Sequence, residues 1–148
     1  MDCSAGHPWR CHGKPLTKPS GPLKLSFDLI PPEFAVIRFP PEARIPGWAS
    51  TGAFFSITRS PTELSIICEA AIVPPDSGAD YGWRCLQLRG TFAFSEVGIA
   101  ASLSGSLAAA GVGILIVSTF DTDYVLVKDS QLSPAVEALR RDGHEVSL

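Results

Sequence analysis

From Trp83 onward the apolar pattern switches between the period of a strand and that of a helix, and residues suited to boundaries mark the switches. Trp83 to Leu88 alternates, with Trp83, Cys85 and Gln87 on one face and Arg84, Leu86 and Leu88 on the other. Ser95 is placed to cap a helix that begins at Glu96, whose carboxylate suits the first turn. Val97, Ala100, Ala101, Ser104, Leu107 and Ala108 then follow one helical face, small enough to sit close to a sheet. Gly111 is the natural stop. Ile114 to Ser118 and Tyr124 to Val127 read as strands paired across Asp121-Thr122. Ser133-Pro134 opens a last helix with Leu132, Val136 and Leu139 inward, and Arg140, Arg141 and Gly143 suit its end. His144 to Leu148 is long enough for a closing edge strand. Strand, helix, strand, strand, helix, strand is the α+β, ferredoxin-like βαββαβ order.

The first half is less regular. Phe34 to Phe39 predicts a short strand fenced by Pro31-Pro32 and Pro40-Pro41. Ile45 to Ser50 suits a single helical turn, and Phe54–Thr58 with Leu64–Cys68 suits a hairpin around Ser60-Pro61. Ala70 to Gly82 is a Pro-Gly-Asp connector that holds an internal boundary, dividing residues 24–77 from 78–148. Residues 1–23 carry no apolar periodicity and read as a flexible leader, dispensable for stability. Cys3, His7, Cys11 and His12 lie there at a spacing that matches no compact zinc finger, so no metal site is assigned.

Composition narrows the class. Hydrophobic residues make up 45% and charged residues 18%, enough for a packed core. The formal charge of −3 comes without any basic cluster, which argues against nucleic acid as a partner. Cys68 and Cys85 sit in apolar runs rather than in a disulfide framework, and Met1 to Leu23 has no secretory apolar region, so a cytoplasmic setting is expected. Val97 to Phe120 has no charged residue and is long enough to span a bilayer. Its serines and glycines, the lack of close basic flanks and the change to the β-branched run GVGILIVST argue against membrane insertion.

Phe94-Ser95-Glu96-Val97-Gly98 and the run Ser118 to Val127, STFDTDYVLV, are similar to ACT-domain proteins, the small modules that bind free amino acids. The likeness is to small tandem-ACT proteins related to Castor-type arginine sensors and to the regulatory end of aspartate kinases. It covers the second half throughout. The first half matches more loosely, through FAVIRFPPE and the strands Phe54–Thr58 and Thr62–Ile66, with a proline-rich insert where a long helix belongs. The resemblance implies two packed ACT-like units, the first incomplete, and no cofactor. It implies a regulatory protein that binds a free amino acid and works as a homo-oligomer or on a partner protein. By position it also implies ligand contacts at Ser95, Glu96, Val97, Gly98, Thr119, Phe120, Asp121 and Asp123.

The chemistry of these residues agrees. Amides at a helix N-terminus suit an α-carboxylate, Asp121 or Asp123 can take an α-ammonium, and Phe120 offers an apolar wall. Each also has a plain structural reading: Ser95 as an N-cap, Asp121 and Thr122 as turn formers, Phe120 as core, Gly98 for close packing. An enzyme is not expected. The chain has no phosphate-binding Walker loop, no Gly-x-Ser-x-Gly elbow and no His-Glu-x-x-His. The rival to a sensor is a protein-interaction or dimerisation module that binds no ligand.

Overall fold

The computed structural model describes residues 23–93 and 96–148. Among these residues, seven strands and two α-helices succeed one another as β1 (Ser26–Phe39), β2 (Ser56–Arg59), β3 (Leu64–Glu69), β4 (Asp80–Leu88), α1 (Ile99–Ala109), β5 (Ile114–Ser118), β6 (Asp123–Lys128), α2 (Leu132–Arg141) and β7 (Glu145–Ser147). Short 3-10 turns at Gly47–Ser50, Ala70–Ile72 and Asp129–Gln131 link them. The strands form one sheet in the order β2-β3-β1-β4-β6-β5, and β7 lies parallel to the start of β1. From β4 onward the order is the βαββαβ of the ferredoxin-like class, as the sequence pattern predicts.

β1 is longer than expected. It runs for 14 residues and passes through Pro31-Pro32, which the sequence pattern makes a fence. The prolines are tolerated because no ladder bond is asked of them. Pairing with β7 ends at Asp28, pairing with β3 begins at Phe34, and the register against β4 shifts between Ile30 and Phe34. β1 thereby joins the two halves of the chain in one sheet.

Alternation along the strands sorts the core into two faces. Phe27, Leu86, Leu88, Val125 and Val127 point toward the helices and pack on Ile99, Leu103 and Leu107 of α1 and Ala135, Val136 and Leu139 of α2. Farther along the sheet, Ala35, Ile37, Leu64, Ile66 and Cys68 pack with Ala49 from the first 3-10 turn. The opposite face carries Phe34, Ile67, Cys85 and Leu126 under Phe54. Each fully buried large side chain contributes on the order of 1.5–3 kcal/mol.

Two local expectations are corrected. α1 starts at Ile99 rather than Glu96, with Gly98 in the N-cap position at φ 91° and no side chain capping it. Its buried residues are Ile99, Leu103, Ser106 and Leu107, so of the expected face only Leu107 points inward. The run IAASLSGSLAA is small or apolar almost throughout, so its period fits more than one face, and the largest side chains decide because they bury the most area. α2 likewise begins at Leu132, one residue before Ser133, and makes no side-chain cap.

Both helices end as their glycines predict. Val112 N donates to Leu107 O and Gly111 N to Ala108 O, and His144 N to Leu139 O and Gly143 N to Arg140 O. With Gly111 at φ 69° and Gly143 at φ 90°, these are paired Schellman bonds. The uncharged run from Val97 to Phe120 is thus a short helix, a turn and strand β5. Among the described residues no helix is long and apolar enough to cross a membrane.

His144 follows the second of these turns and is only 5% exposed. Its Nδ1 accepts from Leu25 N at 3.1 Å, its Nε2 lies 3.4 Å from Ser102 Oγ, and its ring stands edge-on to Phe27. Burial holds its pKa below the ordinary value, with Asp142 pulling weakly the other way. The unfolded chain therefore takes up a proton near pH 6.5 that the folded chain resists, and stability falls as pH drops through that value. The loss can reach about 1.4 kcal/mol per pH unit. Asp28, Asp80, Asp142 and Glu145 have lowered pKa values, so their contributions are lost only in more acid solution. Melting temperatures between pH 7.5 and 5 should decline in the parent and much less in His144→Asn, whose amide oxygen can still accept from Leu25 N. Equal declines in both would assign the effect elsewhere.

Candidate ligand-binding cleft

The β5–β6 hairpin is tied at its tip by its own threonines. Thr119 N donates to Thr122 O at 2.9 Å, and Thr119 Oγ1 donates to the same oxygen at 2.8 Å. The tip is therefore Phe120-Asp121, one residue earlier than the expected Asp121-Thr122. Thr122 is buried and donates its hydroxyl to Leu88 O at 2.7 Å, which pins the hairpin to the end of β4. Phe92 N donates to Asp121 O at 2.8 Å, so the segment leaving β4 is held against the same tip. Glu96 N then turns back onto Ala93 O at 2.8 Å, just before Gly98 starts α1.

Between the hairpin tip and the start of α1 lies a cleft of about 270 Å³. Glu96, Gly98, Thr119, Phe120, Asp121 and Asp123 line it together. Of the other predicted contacts, Val97 is 67% exposed and not among the lining residues, and Ser95 lies outside the described residues. Sequence reasoning missed Phe92, Ala93, Ile99, Ala100, Ala101, Ser118 and Thr122, which also line the cleft. The helix residues would have been found had the helix start been placed at Gly98. Phe92 and Ala93 have no signal of their own and arrive through the bond from Phe92 to Asp121.

The charged groups lining the cleft are Glu96, Asp121 and Asp123, all carboxylates. Ile99, Ala100 and Ala101 line the same cleft, and their N–H groups precede the first helical bond, from Ser102 N to Gly98 O at 2.8 Å. The cleft thus combines an acidic wall with unpaired helix amides, which attract groups of opposite charge.

Gly98 matters through its backbone. No atom lies within 4 Å of where a Cβ would stand, so close packing does not require glycine there. Its φ of 91° instead strains any residue with a side chain. Gly98→Val should destabilise the fold by about 1–3 kcal/mol and displace the first turn of α1. Thermal unfolding checks the first effect, and amide chemical shifts of Ala100 and Ala101 check the second.

The remaining reactive side chains do not assemble. Burial pushes the Cys85 thiol up to about 12 and raises the Cys68 thiol. Cys85 faces the side of the sheet away from the helices, and Cys68 packs with Ala49, whereas His144 is engaged by Leu25 and Ser102. Among the described residues no group of three or more His, Cys, Asp or Glu is placed to hold a metal ion. Cys3, His7, Cys11 and His12 lie outside those residues.

The ACT-domain family model matches residues 78–141, the segment that builds this cleft. Residues 78–141 belong to the ACT-domain family. A second family model, described as an N-terminal domain, matches residues 32–76. A solved protein of Agobacterium tumefaciens is 37% identical, with a TM-score of 0.81 over 85% of this chain and 94% of its own. The cytosolic arginine sensor for mTORC1 subunit 1 of Bos taurus is 32% identical over 101 residues, 63% of this chain and 31% of the relative. The chain thus spans about a third of the length of the curated relatives it matches. The regulatory subunit of aspartate kinase from Thermus thermophilus, at 12% identity and a TM-score of 0.53, covers 78% of this chain and 96% of its own and shares the fold.

Proposed function

We propose that this ACT-domain protein is a regulatory sensor that binds a free amino acid in the cleft between α1 and the β5–β6 hairpin and performs no catalysis. The observation that carries the reading is the pairing, in one cleft, of three carboxylates with the unpaired amides of a helix start. A zwitterion meets both halves of that arrangement, its ammonium on the acidic wall and its carboxylate at the helix amides. Glu96, Asp121 and Asp123 exceed what one ammonium needs, and among the described residues no cation lines the cleft to offset them. That excess favours a basic amino acid, in keeping with relatives whose name is that of a cytosolic arginine sensor. By the same likeness we place this protein in the cytosol and read residues 24–77 and 78–148 as two ACT-like units, the first shortened.

One feature favours an assembly as well. β5, ILIVS, is an outer strand of the sheet and carries no charge, proline or glycine to discourage pairing with another strand. A ligand-free dimerisation module would use that edge alone.

A thermal-shift screen against the twenty amino acids separates the two readings. Ligand at 100 times its Kd should stabilise the folded chain by about 2.7 kcal/mol. A clear rise with arginine or lysine and none with glutamate is the expected result. No rise with any of the twenty, together with a concentration-dependent dimer in light scattering, would hand the function to the interaction module.

A further inference from the structure

The sheet face turned away from the helices carries a row of polar side chains. Asp28 of β1 stands opposite Gln87 of β4, and Gln87 stands opposite Tyr124 of β6. With adjacent strands about 4.8 Å apart, the three form a line roughly 10 Å long. Apolar Ile30, Phe34, Cys85 and Leu126 lie alongside it.

A second cleft, of about 260 Å³, opens over this row. Phe54 makes its wall, stacked on Tyr124 with ring centroids 4.3 Å apart at 24°. That wall is firmly placed. Gly52 turns the preceding segment at φ 96°, and Glu69 accepts from Ala53 N at 2.8 Å. The floor lies beside the register shift of β1, where Pro31 interrupts the ladder.

Two acceptors of the cleft are placed to meet an incoming donor. Gln87 Nε2 donates to Tyr124 Oη at 3.3 Å, which leaves the amide oxygen of Gln87 for an incoming donor. Asp28 accepts only. Its carboxylate is steadied by Arg89, whose Nε donates to Oδ2 at 3.1 Å and whose guanidinium reaches Oδ1 and Ser147 Oγ. Two acceptors at the end of an aromatic wall suit a ligand rich in N–H donors that carries positive charge.

We propose that the Asp28–Gln87–Tyr124 row is a second small-molecule site, for an organic cation with an amine or guanidinium head and a short apolar stem. The head meets Asp28 and the Gln87 oxygen, and the stem lies along Phe54 and Tyr124. Arg89 donates to both oxygens of the Asp28 carboxylate and competes with the incoming head. The site needs no α-carboxylate, which sets it apart from the cleft at α1.

The test is an NMR titration of the ¹⁵N-labelled full chain with butylguanidinium, butylamine and, as the anionic control, butyrate. Both cations should shift the amides of Ala53 and Gln87 and the side-chain NH₂ of Gln87, while butyrate shifts none of these. Asp28→Asn should weaken binding at least fivefold. Arg89→Gln should strengthen it, because it frees the carboxylate, an effect of opposite sign that a merely structural role for the pair would not produce. Shifts confined to Ala100 and Thr122, no shift at millimolar cation, or Asp28→Asn titrating like the parent with its spectrum otherwise intact would overturn the proposal. An amino-acid screen that fails at the α1 cleft leaves this titration unaffected, because the two readouts use different residues.

Discussion

Asp123→Asn should weaken binding of a free amino acid by about 1.5–3 kcal/mol, the scale of a hydrogen bond to a charged group. That is roughly a tenfold to hundredfold rise in Kd, or somewhat more. Asp123 is the first residue of β6, stands opposite Ser118 and lines the cleft. Asparagine keeps its shape and removes the charge, so the hairpin should keep its geometry while the ammonium loses its counter-charge. Asp121, by contrast, sits at the tip, and its carbonyl is engaged by Phe92 N. A change there disturbs the loop as well as the charge and reads less cleanly. Calorimetric titration of Asp123→Asn, with unfolding measured separately, is the check. Unchanged affinity in a folded variant would move the ammonium contact to Asp121 or Glu96.

Much of the second half was legible because its boundaries are written in local chemistry. Gly111 and Gly143 end α1 and α2 through the left-handed turns that glycine alone adopts without strain. The strands around Phe120-Asp121 were legible because β-branched runs flank a polar turn. The start of α1 was misplaced because the expected cap at Ser95 and carboxylate at Glu96 outweighed a glycine, which caps without a side chain. The orientation of α1 was hidden by its own composition, since small residues occupy nearly every position.

What escaped the sequence altogether is long-range. Leu25 N reaches His144 Nδ1 across 119 residues, and β7 pairs in parallel with the beginning of β1. Neither contact leaves a periodic trace, because each depends on β1 lying between β7 and β4. The same holds for the cleft. The hairpin side was visible in STFDTD, whereas Phe92 and Ala93 join it only because one backbone bond folds the chain leaving β4 against the tip. The polar row on the far face was equally invisible, since Asp28, Gln87 and Tyr124 meet only through strand register.

Phe34→Ala should cost about 3–5 kcal/mol of stability, the range for deleting a buried phenylalanine. Phe34 is fully buried, meets Phe54 edge-on with centroids 5.8 Å apart, and lies where β1 faces Glu69 of β3 on one side and Trp83 of β4 on the other. Against a total of about 5–15 kcal/mol for an ordinary domain, that loss leaves a substantial fraction of chains unfolded on modest warming. Its position also predicts how the protein comes apart. β1 supplies the ladder for β3 in the first half and for β4 in the second, so neither half keeps its central strand when the other melts. Amide hydrogen exchange in Phe34→Ala should therefore accelerate together at Ile66 in β3 and Leu126 in β6. Free exchange at Ile66 with Leu126 still protected as in the parent would show that the two halves fold separately despite the shared strand.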